Sequence, residues 1–391
     1  MKRLLAAVLT ALTLFSLAAC GEKTSPEAPV PPAQEEAPAP EPPPPSTEPE
    51  PPADPVEELL DSMTLAEKVG QVFFVRCPAE NAVEDVSAYH LGGYILFGRD
   101  TKDKTANELI QAIQSYQDAA DIPLLVGVDE EGGTVVRVSS NPHLRSERFA
   151  SPQRLYGLGG MERITADVRE KDVLLRALGF NVNLAPVVDV STDPDDFIYT
   201  RSFGQDAAAT VEYVSAVTAQ MAADIMGSVV KHFPGYGDNE DTHTGIAVDG
   251  RPYEEFLNRD FLPFSAGFQN GGDTTAVLVS HNIVECMDAE LPASLSPNVH
   301  RILREELGFD GVVMTDDLAM EAVSAYAGDG AVAVMALEAG NDLVLTTDYR
   351  VQIPKVIAAV ENGDLDVSVI DTACRRVLKW KQALGLLEEL A

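Results

Sequence analysis

After residue 55 the chain alternates between two hydrophobic patterns. Short apolar, β-branched runs over 69–75, 93–97, 124–129, 182–188, 228–232, 276–281, 312–316 and 343–345 read as strands. Between them, amphipathic stretches over 106–119, 163–178, 207–225, 253–269 and 329–339 read as helices. Repeated βα units over this length predict an α/β fold, a (β/α)8 TIM barrel, in one domain over residues 56–391. A doubly wound open sheet competes with it, but no Gly-x-Gly-x-x-Gly follows the first strand, so a dinucleotide site has little support. The segment 367–387 alternates Arg375, Arg376, Lys379 and Lys381 with Val377, Leu378, Trp380 and Leu384, and reads as the closing helices.

The polar residues at the strand ends change the picture. Asp129, Asp189, the pair Lys231-His232, His281 and Asp316 each sit at the end of a separate strand run. In a parallel barrel all strand C-termini open on one face, so these groups are expected to converge there. Lys231 ends an apolar strand and needs a partner, because an unpaired buried ammonium is costly. His281 fits a structural role as well as a ligand contact. The strand 312–316 runs into two carboxylates, Asp316 and Asp317; either suits chemistry, and both suit capping of a helix over 318–325. Glu130 and Glu131 precede Gly132-Gly133 and read as loop-shaping, and Asp189 as orienting Arg201 or Lys231. After Lys231-His232 comes a Pro-Gly-x-Gly loop carrying Asp241-x-His243, with Gly235 and Gly237 free to let the loop move. Alone, an Asp-x-His pair is equally a surface loop.

The first 55 residues are of another kind. Lys2 and Arg3, the apolar run to Leu17 and then Ala18-Ala19-Cys20 read as a secretory signal over 1–19, too short for an ordinary membrane span. The Leu17–Cys20 ending resembles a bacterial lipobox, which implies cleavage before Cys20 and a lipid on its thiol. Residues 20–55 are dominated by Pro, Glu and Ala, cannot bury a core and read as a disordered tether. At about 3.1 Å per residue it would reach roughly 100 Å from the anchor. The net charge of −34 excludes a basic nucleic-acid surface and disfavours polyanionic partners. Cys20, Cys77, Cys286 and Cys374 are too far apart for a disulfide framework or a zinc pattern, and the last three read as buried structural cysteines.

Several segments then occur in a characteristic order: Leu65-Ala66-Glu67-Lys68-Val69-Gly70-Gln71, Gly92-Gly93-Tyr94-Ile95-Leu96-Phe97, Val128-Asp129-Glu130-Glu131-Gly132-Gly133, Asn183-Leu184-Ala185-Pro186, Arg201-Ser202-Phe203-Gly204, the run from Lys231 to His243, and Thr315-Asp316-Asp317-Leu318. Together they resemble glycoside hydrolase family 3, in its NagZ-like β-N-acetylglucosaminidase branch, over essentially all of the chain after the tether. The resemblance implies a retaining exo-β-N-acetylglucosaminidase in which Asp316 is the nucleophile, His243 the acid/base and Asp241 its orienting partner. It implies that Asp129, Arg137, Arg201, Lys231 and His232 bind the sugar. An imidazole titrating near neutral pH suits both proton transfers, and an aspartate suits fixing its tautomer. Two departures from the family pattern put the loop conformation in question. Tyr236 stands where a second His is usual, and the stretch between Gly237 and Asp241 is one residue shorter.

The expected substrate is a carbohydrate ending in β-linked N-acetylglucosamine, from peptidoglycan fragments or chitooligosaccharides. No metal, organic cofactor or nucleic acid is expected, and the protein is expected to be a monomer held at the outer face of the cell membrane by its lipid. The competing readings are an N-acetylglucosamine phosphorylase, a β-glucosidase or β-xylosidase of the same fold, and a non-catalytic sugar-binding lipoprotein.

Overall fold

Eight parallel strands form the centre of the molecule: β1 (Phe73–Arg76), β2 (Gly93–Leu96), β3 (Leu125–Val128), β4 (Val182–Asn183), β5 (Gly227–Phe233), β6 (Thr275–Val279), β7 (Val313–Thr315) and β8 (Val344–Thr346). The computed structural model describes residues 54–237, 239, 246–320, 323, 326 and 331–388. Each strand from β1 to β6 pairs in parallel with the next, and β8 pairs with β1. A parallel bridge between Met314 and Leu343, with the Thr315 N–H donating to Leu343 O at 3.2 Å, joins β7 to the start of β8 and closes the barrel. The expected (β/α)8 fold is therefore the observed one.

Side-chain alternation sorts each strand into two cores. Phe74, Ile95, Leu125, Val229, Leu278, Met314 and Leu345 point inward and pack on one another. Their neighbours Phe73, Tyr94, Val126, Val230, Val277, Val313 and Val344 face the helical layer. That layer includes α1 (Ala106–Asp118), α2 (Pro152–Ala177), α3 (Ala207–Ala223), α4 (Phe261–Gly271), α5 (Val332–Ala339), α6 (Tyr349–Asn362) and α7 (Val367–Ala383). The sequence also marks helix starts. Thr105 and Glu108 form a reciprocal capping box on α1, and the Asp206 carboxylate caps α3. The inward core continues into α7, where Val377, Trp380 and Leu384 join it; the Trp380 indole donates to Thr274 O at 3.0 Å. Lys381 is fully buried beside them, its ammonium on Gln71 Oε1 at 2.6 Å, and burial pushes its pKa down to about 7.

Several boundaries differ from expectation for identifiable reasons. Residues 69–71 end a helix, Leu65–Gln71, whose capping box at Thr64 and Glu67 outweighs the β-branched valines that follow. Within the expected strand 182–188 only Val182–Asn183 pair continuously, with one further bridge from Val187 to Lys231. The expected helix 163–178 is the second half of α2, because Gly159 and Gly160 leave helical geometry. Residues 253–269 fall into a short turn, a wide-turn stretch at Phe256–Asp260 and α4. Leu318–Met320 form a turn, and most of the rest of the expected helix 318–325 lies outside the described residues. Cys77 and Cys374 are buried, but Cys286 is exposed, which corrects the expectation for it. No helix among the described residues is long and apolar enough to cross a membrane.

Candidate active site

The inward parity that builds the core also builds the site. Continuing it past the hydrophobic layer brings Arg76 after Phe74, Phe97 after Ile95, Asp129 after Gly127, Lys231 after Val229 and Asp316 after Met314. Each lies within two residues of a strand C-terminus, on the face where parallel barrels carry chemistry.

Lys231 is the hub. Its ammonium lies 2.7 Å from Asp129 Oδ1 and 2.7 Å from Glu131 Oε1, and its side chain is 3 % exposed. Glu131 also takes a two-pronged bond from Arg201, Nε at 3.0 Å and Nη2 at 2.8 Å. Burial alone would raise the Glu131 pKa, but Lys231 and Arg201 together outweigh it and hold the carboxyl below its ordinary range. Burial likewise acts to lower the Lys231 pKa, and Asp129 and Glu131 reverse it, so the ammonium stays charged.

His232 is fixed on both sides. Its Nδ1 lies 2.8 Å from Asp189 Oδ2, and its Nε2 lies 3.2 Å from Arg201 Nη2. A guanidinium can only donate, so Nε2 accepts; Nδ1 therefore carries the proton and donates to Asp189. Asp189 does more: it accepts the His232 backbone N–H at 3.1 Å and, through Oδ1, the Tyr236 N–H at 2.8 Å. Tyr236 packs edge-on against the His232 ring, 5.3 Å between centroids.

The two carboxylates after β7 separate in role. Asp317 is tied into the turn: Oδ1 accepts the N–H of Ala319 at 3.0 Å and of Thr347 at 3.2 Å, and Oδ2 accepts the Thr347 hydroxyl at 3.0 Å. The half-buried Asp316 accepts the Asp317 N–H at 2.8 Å, and its own N–H donates to Val279 O at 3.1 Å. The buried His281 uses Nε2 toward Asp317 O at 3.1 Å and Nδ1 toward Ser294 Oγ at 2.7 Å, which supports its structural role. Among the described residues no group of three His, Cys, Asp or Glu is placed to hold a metal. Asp241 and His243 lie outside the described residues.

Residues 64–380 match the model of the glycosyl hydrolase family 3 N terminal domain. The chain belongs to glycoside hydrolase family 3. Among its family relatives is Beta-hexosaminidase LpqI of Mycobacterium tuberculosis, 32% identical over 328 residues that cover 81% of this chain and 82% of the relative. A beta-hexosaminidase of Xanthomonas campestris pv. campestris is 35% identical over 301 residues, covering 75% of this chain and 88% of the relative. A solved family 3 beta-N-acetylglucosaminidase from Paenibacillus sp. str. FPU-7 superposes with a TM-score of 0.77 at 31% identity; the match covers 83% of this chain and 63% of that longer protein. The solved M tuberculosis LpqI superposes with a TM-score of 0.75 at 30% identity, over 83% of this chain and 95% of that one.

Within this family 3 barrel, Asp129, Arg201, Lys231 and His232 come together in one bonded network, as the sequence led one to expect. Arg137 sits apart from it, over the Phe97 ring with its Cζ 5.8 Å from the centroid. Two expectations are corrected. Asp189 orients His232, not Arg201 or Lys231. Glu131 is the buried counter-ion of Lys231 and Arg201; only Glu130 shapes the loop, accepting the N–H groups of Arg137 and Val138, each at 2.7 Å, and of Ser139 at 3.1 Å. The demand of buried Lys231 for a partner, with three acids in a row after β3, was the signal available for Glu131.

A clamp that the sequence did not reveal fixes the described ends of the loop. Arg251 donates to Gly235 O at 3.1 Å, to Asp249 Oδ2 at 2.7 Å and to Asp260 Oδ2 at 3.0 Å, while Asn239 donates to Asp249 Oδ2 at 2.9 Å. Gly235 (φ 124°) and Gly237 (φ 59°) have no room for a side chain: a Cβ would come within 2.5 Å of Asp260 and of Arg251, respectively. Arg251→Lys keeps the charge but cannot serve all three acceptors. We expect kcat to fall by about tenfold or more with KM within about twofold, since a small misplacement beside the chemistry is expensive. A changed KM at unchanged kcat would remove the clamp from loop positioning.

Proposed function

We propose that this chain is a retaining exo-β-N-acetylglucosaminidase that releases terminal β-linked N-acetylglucosamine from short saccharides. Family membership, together with beta-hexosaminidase relatives matched over most of their length, makes it a β-N-acetylhexosaminidase. The observation that supports the reading most is the buried Asp129–Lys231–Glu131–Arg201–His232 network, on the same strand-end face as Asp316. A hexose presents hydroxyls and an acetamide. Polar groups already locked by one another present fixed donors and acceptors to these without reorganising on binding.

In the mechanism we infer, Asp316 attacks the anomeric carbon while His243, oriented by Asp241, protonates the departing oxygen. His243 then takes a proton from water as that water attacks the glycosyl–Asp316 bond, releasing the sugar and the carboxylate. The protein thereby returns to its starting protonation state. Asp129, Arg137, Arg201, Lys231 and His232 hold the terminal sugar. The N-terminal pattern around Lys2, Arg3 and Cys20 supports export and lipid anchoring through the Cys20 thiol, with residues 20–55 as tether. At that location peptidoglycan fragments and chitooligosaccharides are the available substrates.

The test is hydrolysis of nitrophenyl β-N-acetylglucosaminide against the matching β-glucoside. Strong preference for the N-acetyl sugar is expected; activity on the glucoside alone would overturn the reading. A second assay addresses His243. For His243→Ala we expect a loss of about 10²-fold or more on sugar aglycones, whose departing oxygen needs a proton, and a much smaller loss in the glycosylation step on nitrophenyl substrates. Equal losses would take His243 out of the acid role.

A further inference from the structure

Three buried carboxylates hold the turn at Gly235–Gly237, and among them only Asp260 has an oxygen left without a partner. Asp189, Asp249 and Asp260 are each at most 2 % exposed. Asp189 uses both oxygens, on His232 and on the Tyr236 N–H. Asp249 uses both as well: Oδ1 accepts the Arg251 backbone N–H at 2.9 Å and Nε at 3.0 Å, and Oδ2 accepts Arg251 Nη2 and Asn239. Asp260 accepts Arg251 Nη1 through Oδ2, but its Oδ1 is buried with no hydrogen-bond partner. That oxygen faces Gly235, where a Cβ would lie 2.5 Å from it. The other charged groups here are Arg259, with Nη1 4.0 Å from Asp260 Oδ2, and Glu255, which lies 3.7 Å from Arg251 and 3.3 Å from Arg259. Two guanidiniums thus serve three carboxylates, and a proton that arrives goes to the acid with the empty oxygen. Burial, with repulsion from Asp189 and Asp249, outweighs the two arginines and pushes the Asp260 carboxyl up to about 6.

We propose that Asp260 is a positioning residue for the acid/base step: its ionised carboxylate holds Arg251 against the Gly235 carbonyl, and protonation of that carboxylate slackens the turn that leads to Asp241 and His243. The inference rests on the proposed roles of those two residues. Arg251 reaches Gly235 O through Nη2 at 3.1 Å, the nitrogen that also donates to Asp249, while Asp260 holds Nη1 from the other side. The guanidinium is planar and rigid, so the two carboxylates together fix its angle, and its face rests on the Phe256 ring with Cζ 4.3 Å from the centroid. A neutral carboxyl group loses the charge that draws Nη1. The guanidinium then turns toward Asp249, and the Gly235 carbonyl loses its fixed donor. Asp260 acts through Arg251 and touches no reacting atom. The consequence is an acid limit on turnover that belongs to the packing under the turn, separate from the titration of the proton donor itself.

The experiment is a pH profile of kcat/KM for the full-length protein on a disaccharide ending in β-linked N-acetylglucosamine, with nitrophenyl β-N-acetylglucosaminide alongside. In the glycosylation step His243 donates a proton, so its own protonation favours reaction as pH falls, and a loss toward low pH has another source. Wild type is expected to lose about tenfold on the disaccharide between about pH 7.5 and 5, with the midpoint at about 6. Asp260→Asn carries no charge at any pH. It should be about tenfold slower at pH 7.5 with KM within about twofold, and should lack the acid limb. Its loss should be smaller on the nitrophenyl substrate, whose leaving group needs little protonation; a general loosening of the fold would lower both alike. Arg259→Gln removes one of the two cations facing Asp260 and should move the limb up by about half a pH unit. It decides the matter should the Asn variant fail to fold. A limb unchanged in Asp260→Asn, or unmoved in Arg259→Gln, overturns the inference. If wild type hydrolyses both substrates without a limb near pH 6, only the role of Asp260 falls. If it hydrolyses neither, the hexosaminidase reading falls and takes this inference with it.

Discussion

Asp316→Ala is expected to lower turnover of sugar and nitrophenyl substrates alike by about 10³-fold or more. In the proposed mechanism the two substrate classes lose together, because the missing carboxylate would be the group that bonds to the anomeric carbon and a better leaving group cannot replace it. The substitution should leave the fold intact. Asp316 is half-buried at the barrel mouth, and its carboxylate accepts the neighbouring Asp317 N–H, whereas Asp317 holds the turn through Ala319 and Thr347. Asp317→Ala should therefore show the opposite balance, costing more stability than chemistry. Thermal melts and kcat for both variants check the division. Substantial turnover in Asp316→Ala would move the nucleophile elsewhere.

The second large effect is on stability. Lys231→Met removes the cation that Asp129 and Glu131 share. Losing one member of a buried charge network costs about 3–5 kcal/mol, and the lower end is expected here because Arg201 still pairs with Glu131. The pH dependence gives this a distinct signature. Because the Glu131 pKa is depressed in the folded protein, its contribution is fully present above the ordinary carboxylate pKa. That contribution is lost as pH falls through the lower folded value. Without Lys231, burial pulls that pKa back up, so the acid-side loss of Tm should begin at higher pH. Adding Asp129→Asn should recover part of the loss, since Asp129 is the acid whose ion pair the substitution removes. A melt unchanged by Lys231→Met from pH 3 to 7 would show that the network contributes nothing to stability.

The barrel and most of its site were legible because they follow from local rules. Alternation along β3, β5 and β7 puts Asp129, Lys231 and Asp316 on the inward side before any partner is known, and parallel topology sends their strand ends to one face. Partner choice was not legible. Glu131 meets Arg201 across 70 residues of sequence, and Asp189 meets His232 across 43. Nothing in either local segment says which of several nearby charges will close the pair. The Arg251 clamp was hidden for the same reason, its acceptors lying at Gly235, Asp249 and Asp260.

Asp189 holds the imidazole of His232 with one oxygen and the backbone entering the Gly235–Gly237 turn with the other. The His232 ring and the backbone leading into the Gly235–Gly237 turn thus take their positions from a single side chain. One carboxylate couples the placement of the imidazole to that of the Tyr236 backbone. A change of length after Gly237 therefore leaves the Asp189–His232 pair, and the turn it anchors, in place.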